Sequence, residues 1–186
     1  MPLPPVNDED FALMARLRAG DTTAFAALIR RHQTALVNFF RRMGAGNEAE
    51  DVAQETFLRV WRYRARYRPA AKFTTFLFTL ARHAWADQLR RARKQERVVE
   101  QVGAEAAPYD ATAQDTARQR LDVQTALAAL TEKLRLVVVM SLYQGLKYEE
   151  IAAALDIPVG TVKSRMFLAL ARLKDVFDVR TEEKLE

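Results

Sequence analysis

The stretch Tyr148–Arg165, YEEIAAALDIPVGTVKSR, predicts two short helices joined by a tight turn. Ile151 and Leu155 fall on one face of the first helix, and Asp156 can adopt the left-handed conformation that ends a helix. Pro158 prevents that first helix from continuing. The stretch therefore predicts a helix-turn-helix.

The second helix of this motif has a buried stripe at the spacing i, i+4, i+7, i+11, formed by Val162, Met166, Ala169 and Leu173. That spacing turns a mixed set of side chains outward: Lys163, Ser164, Phe167, Leu168 and Ala171. A phenylalanine beside basic and hydroxyl side chains is unusual on a solvated face. A major-groove helix accounts for it, because cations and hydroxyls reach phosphates and base edges while a ring contacts a thymine methyl. The alternative is an αα-hairpin within a helical bundle.

Length and composition narrow the class of protein. The 186 residues allow one domain or two small ones, and no apolar run approaches the ~20 residues that span a bilayer. The N-terminus lacks a basic-then-apolar signal, so we expect a soluble, cytoplasmic protein. There is no cysteine, and His32 and His83 are isolated in the sequence. We therefore expect neither a metal site nor a cofactor.

Positive charge is concentrated in one segment. The chain has a net charge of +5, but Arg59 to Arg97 alone contains twelve basic and two acidic residues, a local balance of +10. Aromatic residues are interleaved with these cations: Trp61, Tyr63, Tyr67, Phe73, Phe76, Phe78 and Trp85. Unpaired bases stack on rings while cations hold the backbone, so the segment suits single-stranded nucleic acid. A solvated charged face is the alternative, and several of the rings must be core.

The whole chain is predicted to be all-α, with two small helical domains joined by a flexible linker. The predicted parts are a first domain over 1–94, a linker over 95–115, a second domain over 116–180 and a tail over 181–186. The first domain is predicted to hold four helices: one capped by Asn7 or Asp8 and ending at Arg18, one capped by Asp21 from Thr22 to about Arg42, one from about Glu48 to Arg66 before Pro69, and one capped by Thr74 or Thr75 and ending near Arg93. The second is predicted to hold a helix ending at Leu130, a helix capped by Thr131 and ending near Gly145, and the helix-turn-helix, whose last helix reaches about Phe177.

The third predicted helix has two different faces. One is apolar, with Ala53, Phe57, Val60 and Trp61, and the other carries Glu48, Asp51, Val52, Glu55, Arg59 and Arg62. Glu55 and Arg59 are spaced for an i,i+4 ion pair, which is one interpretation of the second face. The other interpretation is a surface that binds a partner.

Three stretches of the chain contain recognisable motifs: Asp51–Trp61, Phe76–Arg91, and Leu130–Val139 followed by Gly145–Ala152. These motifs resemble those of the extracytoplasmic-function (ECF) sigma factors of the sigma-70 family, which serve bacterial RNA polymerase. Asp51–Trp61 resembles the polymerase-binding helix, and Phe76–Arg91 resembles the helix for promoter melting and −10 recognition. Leu130–Val139 followed by Gly145–Ala152 resembles the −35-binding domain. The motifs occur in the order of the family and together cover nearly the whole chain.

The resemblance implies a role for individual residues. Those implied to engage the clamp of the polymerase largest subunit are Asp51, Gln54 and Glu55. Those implied for −10 binding and melting are Lys72, Phe76, Arg82, His83, Asp87, Arg90 and Arg91, with a flipped base bound by the loop between Tyr63 and Thr75. Those implied for −35 binding are Tyr148, Thr161, Lys163, Ser164, Arg165, Phe167 and Leu168.

The resemblance also implies the partners and the activity. It predicts a sigma factor, not an enzyme, that directs core polymerase to a promoter through the clamp and the flap. Its further partners are promoter DNA, both double-stranded and melted, and an anti-sigma factor. Family members often have Trp at the position of Phe76, Asn at that of His83, and Ser or Thr at that of Lys147.

Two other functions compete with this prediction. A dimeric repressor or activator has the same kind of helix-turn-helix, but a dimer interface would not carry a local balance of +10. A nucleic-acid enzyme is the second alternative. The only carboxylates in the basic segment are Asp87 and Glu96, which are too sparse for two-metal chemistry.

Overall fold

A computed structural model describes residues 9–68, 72–102 and 123–182, and every regular element in these ranges is helical. The all-α prediction is thus confirmed. The elements are α1 (Glu9–Arg18), α2 (Thr22–Met43), a 3₁₀ turn (Gly46–Glu48), α3 (Ala49–Tyr63), a 3₁₀ turn (Arg64–Arg66), α4 (Phe73–Val102), α5 (123–128), α6 (Glu132–Val138), a π-helical turn (Val139–Tyr143), α7 (Tyr148–Leu155) and α8 (Val159–Glu182).

Helix α2 begins and ends as its sequence predicts. The Asp21 carboxylate accepts hydrogen bonds from the backbone N–H groups of Thr23 (2.8 Å) and Ala24 (3.4 Å), which satisfies two donors of the first turn. Hydrogen bonds from the Thr23 hydroxyl and from Arg16 hold the pKa of this carboxyl well below its ordinary value. At the other end Gly44 has φ 99°, a conformation that favours glycine.

The predicted limits of other helices were wrong. Helix α4 begins at Phe73, so Thr74 and Thr75 lie inside its first turn and do not cap it. It continues to Val102, past the predicted end near Arg93, because residues 94–102 contain neither Gly nor Pro and include several good helix formers. Residues 95–102 of the predicted linker are therefore helical.

The remaining limits differ by a turn or lie outside the described residues. Helix α3 is shorter than predicted, because Glu48 and Arg64–Arg66 belong to 3₁₀ turns. Helix α8 continues past Phe177 to Glu182 and so includes the first two residues of the predicted tail. The caps at Asn7 or Asp8, Pro69, and most of the predicted linker (103–115) lie outside the described ranges.

Aromatic rings fill the core between α2 and α4. The Phe39 ring packs edge-on against Phe78, with centroids 5.2 Å apart, and the Phe40 ring lies 6.3 Å from Trp85. All four rings are buried, as are Tyr67 and Phe73. Of the seven aromatic residues interleaved with the cations, four are therefore core, and the three half-buried rings are Trp61, Tyr63 and Phe76.

The helix-turn-helix forms as predicted. Asp156 has φ 54° and ψ 52°, and its N–H donates to the Ala152 carbonyl to close α7. Val162, Met166 and Ala169 are buried. Lys147 cannot accept a hydrogen bond as a capping side chain would, but its own N–H donates to the Glu150 carboxylate (2.8 Å). The glutamate thereby satisfies the start of α7 from inside the helix.

The two helical groups pack against each other. Helix α7 lies against α4, and the π-helical turn lies against α2. Buried residues from both groups, such as Leu77 of α4 and Ile151 of α7, belong to one continuous core. The two helical groups thus form one closed body with a shared core.

A buried carboxylate joins α1 to α2. The Asp10 side chain is 7% exposed and accepts from Arg31 Nε (2.9 Å), while its second oxygen pairs with His32 Nε2 (2.8 Å). The His32 ring packs 5.1 Å from Phe73 at the start of α4. Burial opposes ionisation of Asp10, but the hydrogen bonds and charges of His32 and Arg31 outweigh it and lower the pKa of this carboxyl.

Replacing Asp10 by Asn should lower the free energy of unfolding at pH 7 by about 1–3 kcal/mol, because the buried charged acceptor shared by the half-buried His32 and the more exposed Arg31 is lost. A carboxyl with a lowered folded pKa stabilises the protein above its unfolded pKa, about 3.9, and this contribution is lost as the pH falls through the folded value. Urea unfolding should therefore show a large difference between wild type and Asp10→Asn at pH 7 and a smaller one near pH 3. The control Glu9→Gln, at a 67%-exposed side chain, should change stability less. An Asp10→Asn difference that does not vary with pH would contradict this account.

Candidate nucleic-acid interface

Helix α8 presents an apolar and polar face to solvent. Phe167 is 73% exposed and Leu168 is 55% exposed, and Lys163 and Ser164 beside them are also exposed. The Ser164 hydroxyl donates to the Gly160 carbonyl (3.0 Å). A phenylalanine ring and a leucine side chain exposed side by side place apolar surface in water. Exposed apolar surface of this kind, surrounded by polar groups, is typical of a site where a partner binds.

The other residues predicted for −35 binding flank this face. Thr161 and Arg165 are half-buried on α8, and Tyr148 is half-buried at the start of α7. The structure thus brings the predicted residues of α8 together on the first three turns of one helix. Tyr148 lies on the preceding helix of the motif.

Arg82 and His83 form a coupled pair on α4. Arg82 Nη2 lies 2.7 Å from His83 Nε2. Because a guanidinium only donates, Nε2 must accept, which leaves the proton of the neutral ring on Nδ1. Burial and the charges of Arg82 and Arg59 lower the pKa of His83, so the neutral form prevails at pH 7. The imidazole therefore offers an N–H donor.

Asp87 is the acceptor of an ion-pair network between α3 and α4. Arg59 Nη2 lies 2.7 Å from Asp87, and Arg59 Nε lies 2.9 Å from Glu55. Arg90 pairs with the other Asp87 oxygen. The hydrogen bond from Arg59 is the largest cause of the lowered pKa of Asp87, and burial opposes it. The Glu55–Arg59 pair, one of the two interpretations of this face, is thus present, and Asp87 orients Arg90.

The other predicted −10 residues lie along the same segment. Phe76 is half-buried, with its ring 5.5 Å from Tyr67. Arg90 and Arg91 are exposed. Lys72 precedes α4 and is also exposed, but it pairs with Glu150 of α7 (2.9 Å). The predicted −10 residues thus extend from the start of α4 to its fifth turn.

The three predicted docking residues lie on one face of α3, and this face borders two different grooves. Gln54 lines a groove of about 400 Å³ between α2 and α3. Asp51 and Glu55 line a smaller depression of about 250 Å³ on the side toward α4. Val52, predicted to face outward, is 5% exposed, because α4 packs over that side of α3.

Leu58 was missed by the sequence analysis. It is 55% exposed on α3, four residues after Gln54 and seven after Asp51, so the three form one outward ridge. The spacing from Asp51 was available in the sequence. It was overlooked because the neighbouring Phe57 marks the buried face.

Comparison with known proteins identifies both halves of the chain. Residues 28–95 match Sigma-70 region 2, and residues 120–173 match Sigma-70 region 4. The chain is 30% identical to the ECF RNA polymerase sigma-E factor of Haemophilus influenzae over 171 residues, 86% of this chain and 90% of that protein. It is 31% identical to the ECF RNA polymerase sigma factor RpoE of Cereibacter sphaeroides, over 88% of this chain and 92% of that protein.

The chain belongs to the ECF sigma factors. The structure of CnrH in complex with the cytosolic domain of CnrY is similar to this sigma factor, with a TM-score of 0.73 and 27% identity over 92% of this chain and 99% of that one. The sigma factor RpoE of Bartonella quintana, in complex with the anti-sigma factor NepR, shares the fold with a TM-score of 0.68 and 24% identity over 83% of this chain and 97% of that one.

The family matches fit the helices of this sigma factor. The region 2 match contains α3 and most of α2 and α4, and the region 4 match contains α5 to α7 with α8 as far as Leu173. Two helical domains are thereby confirmed, while the boundaries at 94 and 116 stay predictions. Within the described ranges, no helix has the length and apolar content to cross a membrane. The same ranges contain no group of three or more acidic or histidine side chains placed to hold a metal.

Replacing Arg59 by Met should lower the free energy of unfolding by about 1–2 kcal/mol, because Glu55 and Asp87 then face each other across α3 and α4 without a cation. The Arg59 side chain is only 12% exposed. The matched control is Arg62→Met, at an exposed position of the same helix, which should be close to neutral. Chemical denaturation measures both variants, and equal effects would rule out a structural role for the network.

Proposed function

We propose that this sigma factor binds core RNA polymerase through the exposed ridge of α3 and recognises the −35 element with α8 and the −10 element with α4. The observation that carries the proposal is the α8 face. A ring that is 73% exposed, in a helix-turn-helix and among hydroxyl and basic groups, is placed as a major-groove contact requires. The ordered matches to regions 2 and 4 support the division of labour.

At the −35 element, the basic residues position the helix and the apolar ones recognise bases. Lys163 and Arg165 contact phosphates, which fixes the register of α8 on the duplex. Phe167 and Leu168 are two adjacent apolar side chains on the exposed face. Apolar side chains in the major groove contact thymine methyl groups. We therefore propose that thymine methyls contribute to recognition of this element.

At the −10 element, α4 holds the separated strand. Arg82, Arg90 and Arg91 contact phosphates, and the half-buried Phe76 ring stacks on a base at the upstream edge of the bubble. His83 offers its Nδ1–H to a base or phosphate. Asp87 acts by holding Arg90 in place. Stacking and phosphate contacts offset the few kcal/mol that each unstacked step costs.

The competing functions have less support. In a dimeric repressor, nothing would require the exposed ridge on α3 or the cationic α4. A nucleic-acid enzyme needs a catalytic group that is available to its substrate. The Asp87 carboxylate does not meet this need, because both of its oxygens are paired with arginines. We propose that the protein acts in the cytoplasm, without catalysis of its own, and that an anti-sigma factor restrains it. The similarity to CnrH, solved with the cytosolic domain of CnrY, supports such a partner.

The thymine contact can be tested after run-off transcription with core polymerase has selected promoters from a library. Replacing each −35 thymine by deoxyuridine removes one methyl group. The loss of each contacted methyl should lower the affinity of the holoenzyme for the promoter by about four-fold. In the Phe167→Ala variant, the affinity should no longer depend on the thymine methyl groups, while the thermal unfolding temperature of the protein should be unchanged. The control Leu142→Ala, at a 61%-exposed position on the π-helical turn and outside the helix-turn-helix, should retain it. Equal sensitivity in both variants would refute the contact.

The docking ridge can be tested on the protein alone and with core polymerase. The double variant Gln54→Ala, Leu58→Ala should weaken core binding roughly ten-fold or more, because central interface side chains typically contribute over 1 kcal/mol each. Both positions are exposed, so the thermal unfolding of the free protein should be unchanged. The control double variant Glu149→Gln, Ala153→Ser alters exposed residues of α7. If core affinity is the same in both doubles, the ridge is not the docking surface.

A further inference from the structure

Arg82 differs from the paired arginines near it in the charge of its partner. Arg59 and Arg90 pair with carboxylates, which offset their charge. The partner of Arg82 is the neutral His83 ring, with 2.7 Å between Nη2 and Nε2. A neutral acceptor restrains a guanidinium without cancelling its charge. Arg82 therefore keeps its full charge for a phosphate.

The bond to His83 decides where the Arg82 guanidinium points. Arg82 is half-buried, and its Nε is buried with no hydrogen-bond partner in the described part of the chain. Among the described residues, the bond to His83 is therefore the single polar restraint on this guanidinium. Loss of that bond leaves the charged end of the side chain free to turn.

Charged groups of two helices face the His83 ring. Arg82, Asp87 and Arg90 lie on α4, and Arg59 comes from α3, which packs beside it. Burial and the charges of Arg82, Arg59 and Arg90 lower the pKa of this ring, and Asp87 opposes them without reversing the shift. The ring is therefore neutral at pH 7 and gains a proton only as the pH falls below ~6.5.

Protonation of this ring reverses the role of its Nε2. Nδ1 already carries the hydrogen of the neutral ring, so the added proton occupies the lone pair that accepts from Arg82. Two donors and two positive charges then face each other at hydrogen-bond distance. Like charges at this distance repel, and the guanidinium turns away from the ring.

We propose that His83 is a positioning residue for Arg82, whose guanidinium it directs at a phosphate of the melted −10 strand only while the ring is neutral. This role rests on the proposed assignment of Arg82 to that strand. The directed contact is present near pH 7 and is lost as the ring gains its proton. An asparagine amide in place of the ring accepts a hydrogen bond but does not titrate, so it would give no such dependence on pH.

The direction of the hydrogen bond can be measured on the free full chain by nitrogen NMR of the imidazole rings. The chain has two histidines, so the signals that disappear in His83→Asn belong to His83. At about pH 7.5 we expect the ring hydrogen on Nδ1 and none on Nε2. A His83 ring with its hydrogen on Nε2 would overturn the proposal.

The effect on DNA binding can be measured with the holoenzyme and a forked promoter fragment whose −10 region is single-stranded. When the pH is lowered from about 7.5 to about 5, wild type should lose roughly three- to ten-fold more affinity than His83→Asn, the range for one hydrogen bond. Polymerase and DNA are the same in both measurements, so their own titrating groups contribute equally. An affinity that rises with falling pH in wild type alone would contradict the positioning role, because a protonated ring bound directly to a phosphate gives that result.

A double-mutant cycle separates positioning from an independent contact. Arg82→Gln and His83→Leu should each weaken binding of the forked fragment at about pH 7.5. Because His83 acts through Arg82, the loss in the double variant should be smaller than the product of the two single losses by roughly three-fold or more. Losses that simply multiply would overturn the positioning role.

A failure of the proposed function has a different signature. Arg82→Gln would then bind the forked fragment as tightly as wild type, while the NMR measurement on the free protein would still place the hydrogen of His83 on Nδ1. A failure of the positioning role alone leaves the loss in Arg82→Gln intact and removes the coupling to His83.

Discussion

The stacking of aromatic rings between α2 and α4 is the contact on which the rest of the structure depends. Phe39 of α2 packs against Phe78 of α4, and Phe40 packs against Trp85. These two pairs fix the rotation of α4 about its axis and its position along α2. Because the inner face of α4 is committed to these rings, its arginines must lie on the outer faces. The same packing gives α7 a rigid surface to rest on. Loss of one ring would therefore displace both the proposed nucleic-acid surface of α4 and the interface between the two helical groups.

The local charge balance of +10 overstates the field that nucleic acid meets. Arg59 forms ion pairs with Glu55 and Asp87, and Arg90 forms an ion pair with Asp87 as well. Other cations of the segment lie on aromatic rings, with Arg64 4.4 Å from the Trp61 ring centre and Arg66 4.9 Å from that of Tyr63. These contacts hold the cations in defined directions. A count of charges predicts the sign of the surface, while the pairs decide where a phosphate is attracted.

The sequence predicted what depends on local chemistry. Asp21 marked the start of α2, Asp156 marked the turn of the helix-turn-helix, and Phe167 was unusual on a polar face. Contacts between segments that are distant in the sequence could not be predicted from it. The burial of Val52 depends on where α4 packs, and no spacing pairs Lys72 with Glu150 or Arg135 with the end of α2. The length of α4 was missed for another reason, since helix propensity continues after the apolar periodicity stops.

The internal hydrogen bond of Ser164 limits what this side chain can recognise. Its single proton is already donated to the Gly160 carbonyl inside α8. Only its lone pairs remain free, so in the proposed −35 contact the hydroxyl acts as an acceptor. The base edges that match an acceptor are the amino groups of adenine and cytosine, whereas guanine and thymine present carbonyl oxygens there. A serine hydroxyl can in general donate or accept a hydrogen bond, but the bond inside α8 restricts this one to two of the four bases, adenine and cytosine.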